Sequence, residues 1–208
     1  GSDTISLARL GASVVGLDQS SVSLQHARRL FDATQTPGAF VEANVYDART
    51  VLEGEFDLVY TGVGALNWLP DIVRWAEVVA ALLAPGGFLY LREGHPMLWS
   101  LDETTDASLR VAYPYFETEA PILWDTAETY TDGDTSAIEH TENFEWNHGL
   151  AEIITALLSA GLELEMFVEH RSCDWKALDH MVLEDGRFVL PPDQRDLVPL
   201  MYSLVARK

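Results

Sequence analysis

The stretch Leu82–Glu93, LLAPGGFLYLRE, contains the end of a helix, a tight turn and a strand in direct succession. Residues 84–87 cannot continue a helix, because proline lacks an amide hydrogen and glycine favours the conformation that ends helices. Residues 88–93 then have the apolar and aromatic side chains typical of a strand. The kind of sheet that this strand joins depends on the segments that precede it.

Those preceding segments alternate between strand and helix patterns. Strands are predicted at Ser13–Asp18, Ala39–Ala43 and Phe56–Tyr60, while Ser20 can cap one helix and Pro70 can open another. The second helix has one apolar stripe, formed by Ile72, Trp75, Ala76, Val79 and Leu83. Strands that alternate with helices predict an α/β fold, with a doubly wound and mostly parallel sheet covered on both faces.

Regular patterns return near the C-terminus. Residues 150–158 have the apolar spacing of a helix, and 162–169 and 200–206 have the composition of strands. Residues 181–190 carry Asp185-Gly186 at their centre, which is a strong signal for a hairpin. The sequence therefore predicts further strands after the alternating first half.

Residues 96–146 interrupt this organisation, since they are rich in acidic residues, threonine and large aromatic side chains. The aromatic residues are Trp99, Tyr113, Tyr115, Phe116, Trp124, Tyr130, Phe144 and Trp146. Two interpretations stay open. The rings could form a lid over a ligand, or they could fill a small separate core beneath a surface segment.

Charge and composition exclude several classes of function. The chain has 33 acidic and 13 basic residues and a net charge of −20, which would repel a nucleic-acid backbone. A single cysteine, Cys173, rules out an internal disulfide framework, and no apolar run is long enough to cross a bilayer. We expect a cytoplasmic protein that binds neither nucleic acid nor membrane.

Polar or glycine-rich residues follow each predicted strand of the first half. Ligands of open α/β sheets bind at the carboxyl ends of the strands, so these positions are candidate site residues. Asp18 ends the first strand, Asn44 follows the second, and Thr61–Gly64 follows the third. Glu93–Pro96 follows the fourth and places His95 at the same edge. Taken singly, Asp18 fits a helix-capping role equally well, and Asn44 fits a turn better.

In this order the motifs resemble those of the class I S-adenosylmethionine-dependent methyltransferases, particularly the small-molecule branch. They are GSDTISLARLGA before VVGLD, then FVEANVYD, EFDLVYTGVGALNWLPD, LLAPGGFLYL and a closing LVARK. The resemblance implies S-adenosylmethionine as cofactor and a Rossmann-like sheet with an antiparallel C-terminal hairpin strand. It also implies one methyltransferase domain over 1–208. Within it, 1–95 would bind the cofactor, 96–146 would be an insertion or lid, and 147–208 would supply the last helix and strands.

The first residues fit the family only in part. The family's first strand ends in a glycine-rich loop, and Gly1 resembles the last glycine of that loop. We therefore expect the first, central strand and most of the loop to lie upstream of Gly1. The competing interpretation is that Gly1-Ser2 is a cloning remnant.

The resemblance also implies a set of cofactor contacts. Asp18 resembles the acid that accepts hydrogen bonds from the ribose hydroxyls, and Gln19 resembles the residue beside the adenine. Asn44 replaces the family's usual aspartate, and Val45 would offer its backbone amide to the adenine. The predicted cofactor-binding residues are Gly1, Asp18, Gln19, Asn44, Val45, Thr61, Gly62 and Leu66.

On the acceptor side, Leu66 to Trp68 resemble the wall between cofactor and methyl acceptor. The predicted acceptor-binding residues are Trp68, Trp99, Tyr113, Tyr115 and Trp146. The alternative for Trp68 is that its ring only packs against the helix that begins after Pro70.

The implied reaction is an in-line displacement in which an acceptor atom attacks the sulfonium methyl group. The protein would mainly align the reactants, exclude water and remove a proton. His95 and His148 are the candidate bases, because an imidazole titrates near neutral pH, although a structural hydrogen bond fits either. We expect no metal; His140 and His148 with Glu142 or Glu145 are the weak alternative.

Three alternatives to this enzyme remain. A nicotinamide-dependent oxidoreductase would use Asp18 in the same way, but it predicts a different strand order without an antiparallel hairpin beside the last strand. A non-catalytic S-adenosylmethionine-binding regulator would explain the departure at Asn44. The chain could also be an incomplete piece of an active enzyme. The acceptor is expected to be a small molecule, and a homodimer is possible.

Overall fold

The computed structural model describes residues 1–103, 108–125 and 141–208. Tyr130 and His140, named above for the lid and for the metal alternative, lie outside the described residues. The strands are β1 Val15–Asp18, β2 Ala39–Glu42, β3 Phe56–Thr61, β4 Leu83–Gly94, β5 Ile122–Asp125, β6 Glu142–Glu145, β7 Glu163–His170, β8 Ser172–Cys173, β9 Val182–Glu184, β10 Arg187–Val189 and β11 Met201–Arg207. The α-helices are α1 Ser2–Arg9, α2 Ser21–Ala33, α3 Ala48–Val51, α4 Ile72–Leu82, α5 Pro96–Trp99 and α6 Leu150–Ser159.

The larger sheet has the strand order β3-β4-β11-β7. β3 and β4 are parallel, and β11 runs antiparallel to both of its neighbours, β4 and β7. β3, β4 and β7 therefore run in the same direction, and β11 alone is reversed. This order confirms the predicted fold class, a Rossmann-like sheet that is mostly parallel with an antiparallel C-terminal strand.

β1 and β2 form a separate parallel pair with Asp18 opposite Glu42 at its carboxyl end. Within the described residues, β1 pairs only with β2, and β3 pairs only with β4. β1 and β3 thus each have one strand edge without a ladder partner in 1–103, 108–125 and 141–208. The further central strand expected from the family resemblance stays a prediction.

The main core lies where helices α4 and α6 pack against the larger sheet. Its buried members include Trp75 from α4, Leu157 from α6 and Leu204 from β11. The apolar stripe predicted for α4 is confirmed for Ile72, Trp75, Ala76 and Val79, whereas Leu83 is buried but belongs to β4. Burial of this stripe holds β3, β4 and β11 in place and fixes where their carboxyl ends lie.

The LLAPGG stretch differs from its prediction. β4 already begins at Leu83, which pairs with Phe56, whereas the next paired residues are Phe88 and Leu58. Residues 84–87 form an irregular bulge within β4, because four residues on β4 stand opposite Asp57 alone. A Cβ on Gly87 would lie 2.8 Å from the carbonyl oxygen of Phe56, so this bulge requires glycine.

A smaller antiparallel sheet with the order β8-β10-β9 contains the predicted hairpin. Asp185 and Gly186 have φ values of 48° and 78°, as a two-residue turn of type I′ requires. This sheet and α5 enclose a second apolar core that includes Leu98, Cys173 and Met201. The start of the 96–146 segment therefore packs into a core of its own.

Among the described residues, no helix has both the length and the apolar character needed to cross a bilayer.

Candidate functional site

The cofactor-side residues lie where β1 and β2 end. Oδ1 of Asp18 accepts a hydrogen bond from the backbone N–H of Ser20 at 2.8 Å, and its side chain is exposed. Oδ1 of Asn44 accepts one from the N–H of Tyr46 at 3.0 Å. Gln19 is exposed, and Val45 is half-buried just after Asn44. Both side-chain oxygens thus stabilise the local turn, and both remain accessible to a ligand.

The first turn of α1 connects the two parallel units. A Cβ on Gly1 would lie 3.1 Å from the Cβ of Ala27 in α2. On the other side, the hydroxyl of Tyr60 donates to Oδ2 of Asp3 at 3.3 Å, and a Cβ on Gly62 would lie 3.0 Å from the same oxygen. Gly1 therefore lies beside α2, and Gly62 lies beside α1, at the end of β3.

The loop that follows β3 is held by the side chain of Glu93, which is only 3% exposed. Its Oε1 accepts from the backbone N–H groups of Gly64 at 2.6 Å and Gly94 at 2.8 Å. Its Oε2 accepts from those of Ala65 at 2.9 Å and Leu66 at 3.2 Å. One buried carboxylate at the end of β4 thereby fixes the backbone that follows β3.

Two effects act in opposite directions on Glu93. Burial raises the pKa of its carboxyl group above 4.5, and the four N–H donors lower the pKa by favouring the charged form. A buried carboxylate is tolerated only where its oxygens are fully hydrogen-bonded, and Glu93 meets this condition.

His95 is buried at the start of α5, and both of its ring nitrogens are engaged. Nδ1 accepts from the backbone N–H of Met97 at 2.9 Å, so Nε2 carries the ring hydrogen and donates to Oε1 of Glu169 at 3.0 Å. Burial lowers the pKa of His95, and the neighbouring Glu169 opposes this shift. The side chain therefore caps α5, and the role of a base stays a prediction.

A small cavity lies at the carboxyl ends of β3 and β4, beside α5. Its lining contains four predicted site residues, namely Leu66, Trp99, Trp146 and His148. The structure thus brings together residues that lie far apart in sequence. Leu66 also belongs to the main core and is 2% exposed.

His148 is the candidate base that lines this cavity. Its Nε2 donates to the carbonyl oxygen of Leu69 at 2.7 Å, and its Nδ1 lies 2.7 Å from Oε2 of Glu117. Ligand atoms of Glu117, His148 and Glu152 lie within 4.8 Å of one another, which could suit a metal ion. Hydrogen bonds already account for all three, because Glu152 accepts from the N–H of Gly149 at 2.6 Å.

The other predicted acceptor-binding residues are spread more widely. Trp99 stacks on Trp175 with ring centroids 5.6 Å apart. Tyr113 packs on Trp124, and the hydroxyl of Tyr115 accepts from the N–H of Leu150 at 3.4 Å. These two tyrosines and Trp68, which is 48% exposed, lie outside the cavity lining.

Sequence reasoning named Asn67 and Glu93 near this site but missed Asn147 and Tyr202. The Nδ2 of Asn147 donates to the carbonyl oxygens of Pro96 and Pro114, so it ties α5 to the segment before β5. Glu93 could be named because it follows a predicted strand. Nothing in the sequence indicates that Tyr202 lies in β11 opposite Glu93.

Replacement of Glu93 by glutamine should loosen the loop after β3. The amide keeps one oxygen, but its NH₂ group would face two N–H donors. We expect a loss of about 1.5–3 kcal/mol in the free energy of unfolding, the cost typical of hydrogen bonds to a charged group. Urea denaturation measures the free energy of unfolding, and replacement of the exposed Glu77 in α4 by glutamine is the control. Equal stability of both variants would contradict the anchoring role.

Replacement of His95 by asparagine should change how stability depends on pH. Asparagine can still accept from the N–H of Met97 but does not titrate. Because burial lowers the pKa of His95 in the folded state, the unfolded chain binds the proton first as the pH falls below 6.5. The wild type should therefore lose stability as the pH falls from 6.5, and His95→Asn should lose less. Urea titrations at several pH values test this, with the exposed His26→Asn as control. If the free energy of unfolding of His95→Asn falls with pH as steeply as that of the wild type, the prediction is wrong.

Comparison with known proteins agrees with this geometry. Residues 1–89 match the family described as a methyltransferase domain. Over 86 residues the chain is 35% identical to a ubiquinone biosynthesis O-methyltransferase from Albidiferax ferrireducens, covering 41% of this chain and 34% of that protein. Over 101 residues it is 35% identical to an uncharacterised methyltransferase from Synechocystis, covering 48% and 45%. The chain thus spans between a third and a half of these relatives' lengths.

Solved structures extend the likeness to the whole fold. A protein from Listeria monocytogenes, assigned as an S-adenosylmethionine-dependent methyltransferase, superposes with a TM-score of 0.67 at 19% identity, covering 100% of this chain and 86% of that one. The S-adenosylmethionine-dependent methyltransferase from Mesorhizobium loti superposes with a TM-score of 0.61 at 18% identity, covering 94% of this chain and 80% of that one. The glycopeptide N-methyltransferase MtfA, solved with S-adenosylmethionine, superposes with a TM-score of 0.56 at 15% identity. The superposition covers 98% of this chain and 75% of that one. Residues 1–89 thus match a methyltransferase domain, and the fold of the chain is similar to that of solved S-adenosylmethionine-dependent methyltransferases.

Proposed function

We propose that the protein binds S-adenosylmethionine at the carboxyl ends of β1, β2 and β3 and transfers the methyl group to a small-molecule acceptor. The methyltransferase-domain match carries this proposal, because residues 1–89 contain all of these strand ends. The match therefore coincides with the edge at which an open α/β sheet binds its ligands.

The residues at this edge suit the chemistry of the cofactor. The exposed carboxylate of Asp18, held by Ser20, can accept hydrogen bonds from a ribose diol. Asn44 Oδ1 keeps a second lone pair that can accept from an adenine amino group. Gly62 leaves the end of β3 open beside α1, where a side chain would meet Asp3. We assign Gly1, Gln19, Val45, Thr61 and Leu66 to the same site.

S-adenosylmethionine, when bound, supplies the activated methyl group and its leaving group. The chain's own task is then to align an acceptor and exclude water. The cavity between β3, β4 and α5 adjoins the loop fixed by Glu93, and Trp99 and Trp146 line it. We propose that the acceptor binds on this side. His148 lines the cavity and is one candidate base. His95, which is hydrogen-bonded to Glu169, stays the other candidate base.

The identity of the acceptor is the least constrained part of this proposal. Two similar proteins are named as an O-methyltransferase and a glycopeptide N-methyltransferase, so the fold serves different acceptor atoms. The net charge of −20 favours a small molecule over nucleic acid. Three earlier expectations stay predictions: the division of the domain into 1–95, 96–146 and 147–208, the cytoplasmic location, and the homodimer.

A non-catalytic S-adenosylmethionine-binding protein is the second candidate. The observation that favours it is that Asn44 Oδ1 already accepts a hydrogen bond from the backbone N–H of Tyr46. The oxidoreductase alternative loses its support, because β11 lies antiparallel between β4 and β7.

Replacement of Asp18 by alanine tests the cofactor site. Isothermal titration of S-adenosylmethionine and of S-adenosylhomocysteine should give micromolar binding to the wild type. Asp18→Ala should weaken both by about tenfold or more, the value expected for hydrogen bonds to a carboxylate. Asp57→Ala, an exposed carboxylate within β3, is the control and should bind as the wild type does.

Two results would contradict the proposal. Binding of a nicotinamide nucleotide in place of both adenosyl ligands would indicate an oxidoreductase. Tight binding without turnover on any acceptor would favour the regulatory alternative.

A further inference from the structure

Two buried polar atoms at the cavity have no hydrogen-bond partner within residues 1–103, 108–125 and 141–208. They are the hydroxyl oxygen of Tyr202 and Oδ1 of Asn67. Tyr202 is 0% exposed, and both residues line the cavity beside α5. A buried polar group without a partner costs about 1–3 kcal/mol, so such groups call for a physical explanation.

Tyr202 cannot turn its hydroxyl away from this position. It lies in β11, directly between Glu93 on β4 and Glu169 on β7. Its ring stacks on that of Phe167 with centroids 5.8 Å apart, and it lies perpendicular to the His95 ring with centroids 6.2 Å apart. Packing on both sides fixes the ring, and with it the direction of the hydroxyl.

Asn67 is held just as firmly. Its Oδ1 is buried without a partner, and its side chain opposes the effect of burial, which raises the pKa of the nearby Glu145. Its backbone carbonyl accepts from the N–H of Trp146 at 2.8 Å. Asn67 therefore offers an acceptor without a partner on a backbone that is held in place.

Two other polar side chains that line the cavity, Glu93 and His148, already have hydrogen-bond partners. Glu93 accepts from four backbone N–H groups. His148 is bound to Leu69 and Glu117 at its two nitrogens. The cavity has room for about one water-sized group, and Trp99 and Trp146 form part of its wall.

We propose that this cavity is a subsite for one hydroxyl group of the methyl acceptor, bound by Asn67 Oδ1 and the hydroxyl of Tyr202. The inference rests on the proposed function. A hydroxyl can donate to the amide oxygen, which only accepts, and can also accept from the tyrosine, so it pairs both atoms at once. The rest of the acceptor would pack against Trp99 and Trp146.

Charged groups fit this subsite less well. A carboxylate would meet the lone pairs of Asn67 Oδ1 and the charge of Glu93. An ammonium group would be buried with two neutral partners, which compensates little of its lost hydration. Burial also raises the pKa of Tyr202 well above 10.0, so its hydroxyl keeps its proton and can donate.

Phenol and toluene are suitable probes, because they differ only by a hydroxyl in place of a methyl group. Tryptophan fluorescence or protein NMR gives their affinities with and without saturating S-adenosylhomocysteine. The wild type should bind phenol about three- to tenfold more tightly than toluene, the equivalent of one neutral hydrogen bond. Tyr202→Phe should remove this preference. Tyr90→Phe, whose ring stacks on Tyr60 outside the cavity, should retain it.

Thermal unfolding supplies an independent readout. Because Tyr202→Phe removes a buried hydroxyl without a partner, its melting temperature should equal or exceed that of the wild type. A clear drop would indicate a structural hydrogen bond and would overturn the proposal. Equal affinities for phenol and toluene, no phenol binding at all, or a preference that survives Tyr202→Phe would also overturn it.

These outcomes are separate from failure of the proposed function. Calorimetry with S-adenosylhomocysteine reports the cofactor site, whereas the phenol preference is measured with or without that ligand. Lost cofactor binding with an intact phenol preference would reject the methyltransferase proposal. Normal cofactor binding without a phenol preference would reject the hydroxyl subsite.

Discussion

The buried carboxylate of Glu93 joins the carboxyl ends of β3 and β4. Four backbone N–H groups would otherwise lie at the edge of the sheet without fixed partners, three of them in the loop at residues 64–66. Hydrogen bonds to a buried charge are stronger than neutral ones, so the loop takes a single conformation. The proposed cofactor site and the proposed acceptor site both adjoin this loop.

The interaction separates two sides of the candidate site. On one side, β1, β2 and the first turn of α1 present Asp18, Asn44 and Gly62. On the other, α5 begins at its cap, His95, and Asn147 connects it to the segment before β5. The packing of α5 against Glu169 and the second core keeps the cavity walls in place. Rigid elements thus surround the position where a methyl group would be transferred, which is what alignment of two reactants requires.

Local patterns in the sequence were sufficient for most elements of the fold. The apolar stripe of α4 and the Asp185-Gly186 turn depend on short-range rules of spacing and backbone conformation, and both predictions are confirmed. The bulge at 84–87 was missed, because it depends on the pairing of β4 with β3. The smaller sheet was missed for the same reason.

The site was less predictable than the fold. Strand ends are visible in a sequence, so Asp18, Asn44 and His95 could be named, yet their hydrogen bonds within a few residues are those of caps and turns. Tyr202 could not be found in this way, nor could the contacts of Asn67. Their positions depend on strand pairing across the sheet and on contacts between residues more than seventy positions apart. Polar groups that lack partners become visible only once the three-dimensional packing is known.

A crystal structure of the protein with S-adenosylhomocysteine would test the central claim most directly, because it locates the ligand relative to both sides of the site. The ribose hydroxyls should lie at the carboxylate of Asp18, with the adenine beside Asn44 and Val45. The sulfur should lie near Gly62 and point toward the cavity lined by Trp99 and Trp146. A ligand bound elsewhere, or one with its sulfur directed away from that cavity, would contradict the proposed assignment of this edge of the sheet.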